Sequence, residues 1–124
     1  MGEFEPLSHA VIGAAIEVHR SLGPGMLESA YEECLIHELR LRGMEVKRQV
    51  PVPVVYKDTK HDCGYRIDVL VENQIVVEMK VVDFILPFHE AQVLTYMRFA
   101  KRNIGLLINF NVKTLRGGLR RFVF

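Results

Sequence analysis

The chain has 124 residues, 49% hydrophobic and 25% charged, the balance of a single soluble domain spanning residues 1–124 rather than of a disordered or fibrous protein. Sixteen Lys and Arg against 15 Asp and Glu leave a net charge of +1, which argues against tight binding to nucleic acid through many phosphate contacts alone. No apolar run is long enough to span a membrane, and Cys34 and Cys63 have neither a C-x-x-C nor a zinc spacing, so two reduced thiols are expected.

Met1 to Pro6 carries two acids and no basic run, which does not read as a signal peptide; cytoplasmic residence is the expectation. Leu7 to Leu22 has helical spacing, with Leu7, Ala10, Val11, Ala14 and Val18 as its apolar stripe and Pro6 suited to the first turn. Gly23-Pro24-Gly25 ends it. His9 and His19 on this helix fit a surface or supporting place better than metal ligation. Met26 to Arg42 predicts a second helix, with Leu27, Ala30, Tyr31, Cys34, Leu35 and Leu39 as its stripe and Gly43 just past its end. Glu28 falls in its first turn, where the helix dipole favours an acid, while Glu32, Glu33 and Arg40 are expected to face solvent. Glu45 to Tyr56 alternates as a strand, and Pro51 and Pro53 make it an edge or bulged one. A polar connection follows from Lys57 to Asp62.

Gly64 to Lys80 predicts a hairpin. Tyr65, Ile67, Val69 and Val71 form one face of its first strand, and Ile75, Val77, Met79 and Val81 one face of its second. The opposite face holds Asp68, Glu78 and Lys80 together with Leu70 and Val76. Two such apolar residues imply that the charged trio sits on a partly covered surface. Register decides whether the charges meet. A loop of odd length, such as Glu72 to Gln74, sets Asp68 opposite Glu78, with Cβ atoms about 5 Å apart. A two-residue loop sends them to opposite faces. Two opposed carboxylates repel in a half-buried site, and a divalent cation between them relieves the repulsion by taking both as oxygen ligands.

Beyond the hairpin, Asp83 reads as a loop acid. His89 to Lys101 predicts a third helix, with Ala91, Leu94, Thr95 and Phe99 on its apolar side and Gln92 and Tyr96 one turn apart on one face. Ile104 to Phe110 predicts a buried strand and Leu119 to Phe124 a last, basic-apolar one. The order gives an α/β fold, a mixed sheet with helices on both faces and a parallel crossover through the third helix. The early chain is acid-rich around Glu28, Glu32, Glu33 and Glu38, and the late chain is basic. Terminal Phe122, Val123 and Phe124 hint at a homodimer edge.

Asp68 followed by Glu78-Met79-Lys80 resembles the D…(D/E)-x-K signature of the PD-(D/E)XK nuclease superfamily. Gly25, Glu28 and Tyr31 match the signature of the GxxExxY family assigned to it, and Gln92 and Tyr96 match the QxxxY element of its RecB-like branch. The three occur in the expected order, and the resemblance spans Leu7 to Val123. It implies a restriction-endonuclease-like αβββαβ core and a metal-dependent nuclease. Asp68, Glu78 and Glu28 would hold Mg²⁺ or Mn²⁺. Lys80 would position or deprotonate a water, Gln92 would orient it or Lys80, and Tyr96 would hold a phosphate oxygen. Gly25, Tyr31 and His89 would support the site. The partner would be nucleic acid, DNA or RNA. A rival reading is a non-cleaving nucleic-acid- or protein-binding module on the same fold, and a third is a plain ion pair between Lys80 and one carboxylate inside an unrelated α/β domain.

Overall fold

The computed structural model describes residues 5–124; residues 1–4, and with them most of the segment read above as no leader, lie outside it. Helix α1 (Glu5–Leu22) and helix α2 (Glu28–Leu41) come first, followed by strands β1 (Val46–Pro51), β2 (Val54–Tyr56), β3 (Thr59–His61), β4 (Arg66–Val71) and β5 (Ile75–Lys80). Helix α3 (Pro87–Ala100), strand β6 (Ile104–Asn109), a short 3₁₀ turn and strand β7 (Leu119–Val123) complete the chain. Five strands form one sheet in the order β1-β4-β5-β6-β7. Only the β5–β6 pairing is parallel, as the α3 crossover predicts. The result is the mixed sheet with three helices expected of a restriction-endonuclease-like core, with β1, β4 and β5 as the three strands before the crossover helix.

The sheet divides the core in two. On one face α1 and α2 bury Val11, Ala14, Tyr31, Leu35 and Leu39 against Val69, Val77, Met79 and Leu106. On the other, α3 buries Val93, Tyr96 and Met97 against Ile67, Leu70, Val76 and Leu107. The apolar side of α3 is therefore turned from the expected one: Ala91 is exposed, Leu94 and Phe99 are only partly buried, and His89 is buried with Val93 and Met97. The cause is Gly105 on β6, where a Cβ would lie 2.5 Å from Met97 Sδ; the missing side chain lets α3 settle at that contact.

Three further expectations are corrected. The long strand from Glu45 to Tyr56 breaks at Val52 and Pro53, because Val52 turns into the α3-side core and gives its N–H to the Tyr65 carbonyl at 3.0 Å, while Pro53 has no N–H to offer. The polar connection after it is a second, two-stranded hairpin, β2–β3, turned by Lys57 and Asp58, both at positive φ as a tight hairpin turn requires. Leu27, expected in the α2 stripe, is exposed, and Glu32, expected at the surface, is buried. The free cysteines are as expected. Among the described residues no helix is long and apolar enough to cross a membrane.

Candidate active site

The β4–β5 loop is Glu72 to Gln74, three residues, so the odd register holds: Val71 pairs with Ile75, Leu70 with Val76 and Val69 with Val77. The next pair in that register is Asp68 with Glu78, and there the ladder stops. The two carboxylates take its place. Asp68 donates its N–H to Glu78 Oε1 at 3.1 Å, and Met79 donates its N–H to Asp68 Oδ2 at 2.9 Å. Each acid thus satisfies a backbone donor that strand separation would leave orphaned.

The distortion reaches the neighbouring strand. β1 pairs Arg48 with Val69 and Val50 with Ile67, so Gln49 stands across from Asp68, and Gln49 has φ +51°, the left-handed region. Such conformations cost about 1–3 kcal/mol and gather at functional sites. The alternation of β4 breaks at the same level: Ile67 packs on the α3 side with Leu70, where strict period-2 pairing would put it with Val69. The wholly apolar face expected from Tyr65 to Val71 is interrupted by that twist, and Tyr65 stays 43% exposed.

Burial sets the electrostatics. Glu78 is buried, and burial together with the Asp68 charge pushes its carboxyl up to about 9. Burial also raises Asp68, partly offset by the Met79 N–H. Glu28, the first residue of α2, is exposed in part, yet crowding by protein and then the Asp68 charge raise it too. The Lys80 charge acts against these shifts at all three carboxylates, which places it within electrostatic reach of each. Among the described residues Lys80 makes no contact ion pair with any of them, so the plain salt-bridge reading has no contact behind it.

From α3, Gln92 gives an N–H of its side chain to the Tyr96 hydroxyl at 3.0 Å, and its Oε1 is buried without a partner. Burial and then the Glu78 charge raise the Tyr96 phenol, which puts it within electrostatic reach of the carboxylates. Four expected ligands and bases, Asp68, Glu78, Glu28 and Lys80, and the Gln92–Tyr96 pair therefore converge on one end of the sheet.

Gly25, Tyr31 and His89 each brace a segment next to the site. A Cβ on Gly25 would touch nothing, so its place rests on φ +93°, where glycine is favoured, and not on a close backbone approach. Tyr31 faces the core, stacked on Phe110 at 4.6 Å, with its hydroxyl donating to the Gly23 carbonyl and accepting the Met26 N–H at 3.2 Å. Gly25 and Tyr31 together fix the loop that delivers Glu28. His89 is buried and accepts the Leu86 N–H through Nδ1 at 2.9 Å, which ties down the start of α3 rather than reaching the carboxylates.

Two residues of this neighbourhood were missed. Glu32 is gripped by Arg48 at 2.9 Å and by Gln49 at 3.1 Å, and its charge raises both Asp68 and Glu28. A signal existed: Glu28 and Glu32 are four apart on a helix, a like-charge pair that disfavours the helix unless something else uses it. Asn109 at the end of β6 is buried, donates to the Val82 carbonyl at 2.8 Å and accepts the Val82 N–H at 3.1 Å, fixing the chain as it leaves Lys80. Nothing in the alternating apolar run marked it.

Hard carboxylate oxygens held close enough to repel fit a divalent cation, and the unpartnered Gln92 Oε1 leaves a further acceptor on the same side. Among the described residues, however, no three His, Cys, Asp or Glu side chains are gathered into a ready-made cage; Asp68 and Glu78 are turned to backbone amides. In comparisons with known proteins, neither a curated protein nor a solved structure matched the chain. A family model described as the PD-(D/E)XK nuclease superfamily, whose members generally use divalent metal ions, matches residues 5–122. With almost the whole chain covered by that match, this protein belongs to the PD-(D/E)XK nuclease superfamily.

Proposed function

We propose that the chain is a metal-dependent nuclease that hydrolyses phosphodiester bonds of nucleic acid at the open end of the β4–β5 hairpin. The observation that carries this is the Asp68–Glu78 pair, opposed by register at the point where the ladder gives way. Asp68, Glu78 and the Met79 carbonyl would hold Mg²⁺ or Mn²⁺, with Glu28 adding a ligand directly or through water. When bound, the ion acidifies a water and stabilises charge on the scissile phosphate. Lys80 orients or deprotonates that water and offsets the negative charge that develops. Gln92 holds the water or Lys80 in place and Tyr96 donates to a phosphate oxygen. Gly25, Glu28, Tyr31, Gln92 and Tyr96 support membership of the GxxExxY family in the RecB-like branch, and cytoplasmic residence goes with this function. The exposed Val123 on the edge strand β7, with Phe124 just after it, supports a homodimer, with two sites for two strands.

A second reading, a binding module that does not cut, is favoured by one observation: the acids are not gathered into a cage. Calorimetry with Mn²⁺ on wild type and Asp68→Asn, followed by cleavage of mixed nucleic-acid substrates, separates the two. Asparagine keeps an oxygen for the Met79 N–H, so the fold is retained. Binding and cleavage both lost in the variant support the nuclease. Binding without cleavage in wild type leaves the module. No binding by wild type removes the metal site.

A further inference from the structure

Three aromatic rings around this site are left in solvent. Phe84 is 76% exposed, Phe88 64% and Tyr65 43%. Exposed large apolar groups are common singly, but Phe88 and Tyr65 both relate to one helix, Phe88 on α3 and Tyr65 against its Tyr96. Phe84 lies in the segment that joins Lys80 to α3, a segment anchored at Val82 by Asn109. Phe88 is one helical turn before Gln92, and Gln92 one turn before Tyr96, so the three follow one side of α3. Tyr65 packs edge-on to Tyr96, ring centroids 5.9 Å apart. Phe88 and Tyr65 therefore flank the Gln92–Tyr96 pair, whose phenol lies within electrostatic reach of Glu78 and Asp68.

Resting on the nuclease reading above, we propose that this stripe stacks the unpaired bases of single-stranded nucleic acid next to the scissile phosphate. Aromatic faces accept any base and are useless to a duplex, whose bases are already stacked. The net charge of +1 favours binding through stacked rings over binding through many phosphate contacts alone.

The test uses the full chain in EDTA, where cutting does not interfere, and reads fluorescence anisotropy with a labelled thymidine oligomer and with the same oligomer paired to its complement. The expected result is tighter binding of the single strand, weakened about tenfold by Phe88→Leu or Phe84→Leu but not by Phe88→Trp. Both positions are exposed, so the fold survives the change. Equal or tighter binding of the duplex overturns the proposal. So does indifference to Phe88→Leu, or a self-association seen by sedimentation that Phe88→Leu abolishes while oligomer binding stays, which would make the stripe a face between two copies. Cleavage with Mn²⁺, measured in parallel, keeps the two ideas apart. Cutting with no role for the rings ends this proposal alone, and ring-dependent binding without cutting ends the nuclease reading alone.

Discussion

Toward its turn, the β4–β5 hairpin opposes Val69 to Val77, Leu70 to Val76 and Val71 to Ile75, all six buried. One step further along the same register it opposes two acids, and the backbone bonds are replaced by bonds to carboxylates. Each fully buried Val, Leu or Ile at the turn end contributes about 1.5–3 kcal/mol from burial. At the open end the effect has the opposite sign, since carboxylates held from water resist their charge, which is why Glu78 is pushed up to about 9. One half of the hairpin sets the register and the other half uses it. The apolar half cannot slip by a residue without exchanging its two faces, and that rigidity holds the unfavourable pair in place.

Breaking the open end gives the largest effect. Asp68→Asn removes one ligand charge but keeps an acceptor for the Met79 N–H, so thermal unfolding should be close to wild type. Cleavage should fall by about 10³-fold, since a bound cation supplies several kcal/mol of charge stabilisation in such reactions. A variant that still cuts at the wild-type rate would detach the chemistry from the hairpin.

The pH dependence of the metal-free protein sharpens the contrast. Glu78, Asp68 and Glu28 all have carboxyls raised above the ordinary range. The folded state therefore holds protons that the unfolded chain releases, and stability is greatest below the ordinary carboxylate range. It declines as pH rises toward about 9, where Glu78 ionises. Glu78→Gln should flatten most of that decline in urea unfolding followed across the same window. At neutral pH Mn²⁺ binding should expel the Glu78 proton, so affinity rises with pH by about tenfold per unit for one proton released. Affinity independent of pH would mean that Glu78 is not a ligand.

Tyr31→Phe probes how Glu28 is delivered. It keeps the stack on Phe110 but loses both hydroxyl bonds to the Gly23–Met26 loop. The expected cost in chemical unfolding is about 1 kcal/mol, because the loop groups are near water and regain part of their bonding there. Mn²⁺ affinity should drop with it, since Glu28 follows that loop directly. Unchanged affinity would separate Glu28 from the metal.

Much of this was legible in the sequence because period-2 apolar patterning and a three-residue polar break fix a register, and a register fixes which acids meet. The layered sheet and the parallel crossover follow from the same patterning. What the pattern hides is where a strand is bent. Gln49 at φ +51° and the twist at Asp68 arise from contacts between strands, and no local signal marks a glutamine for left-handed backbone. Glu32 was misplaced because solvent exposure was assigned by helical stripe alone, whereas the α2 face next to the hairpin is polar and covered by Arg48 and Gln49. The turn at Lys57 and Asp58 escaped because neither residue is the glycine or asparagine that usually announces positive φ.

The smallest effect tests the other half of the comparison. Ile75→Val removes one methylene from a side chain fully buried between β4, β6 and the α1–α2 layer. It should cost about 1 kcal/mol in unfolding, the ordinary price of such a deletion in a packed core. Because valine is as β-branched as isoleucine, the strand and its register persist. Asp68 then stays opposite Glu78, and Mn²⁺ affinity and cleavage should match wild type even though the protein is less stable. If metal affinity falls together with stability here, the two ends of the hairpin are not independent, and the carboxylate pair depends on core packing as well as on register.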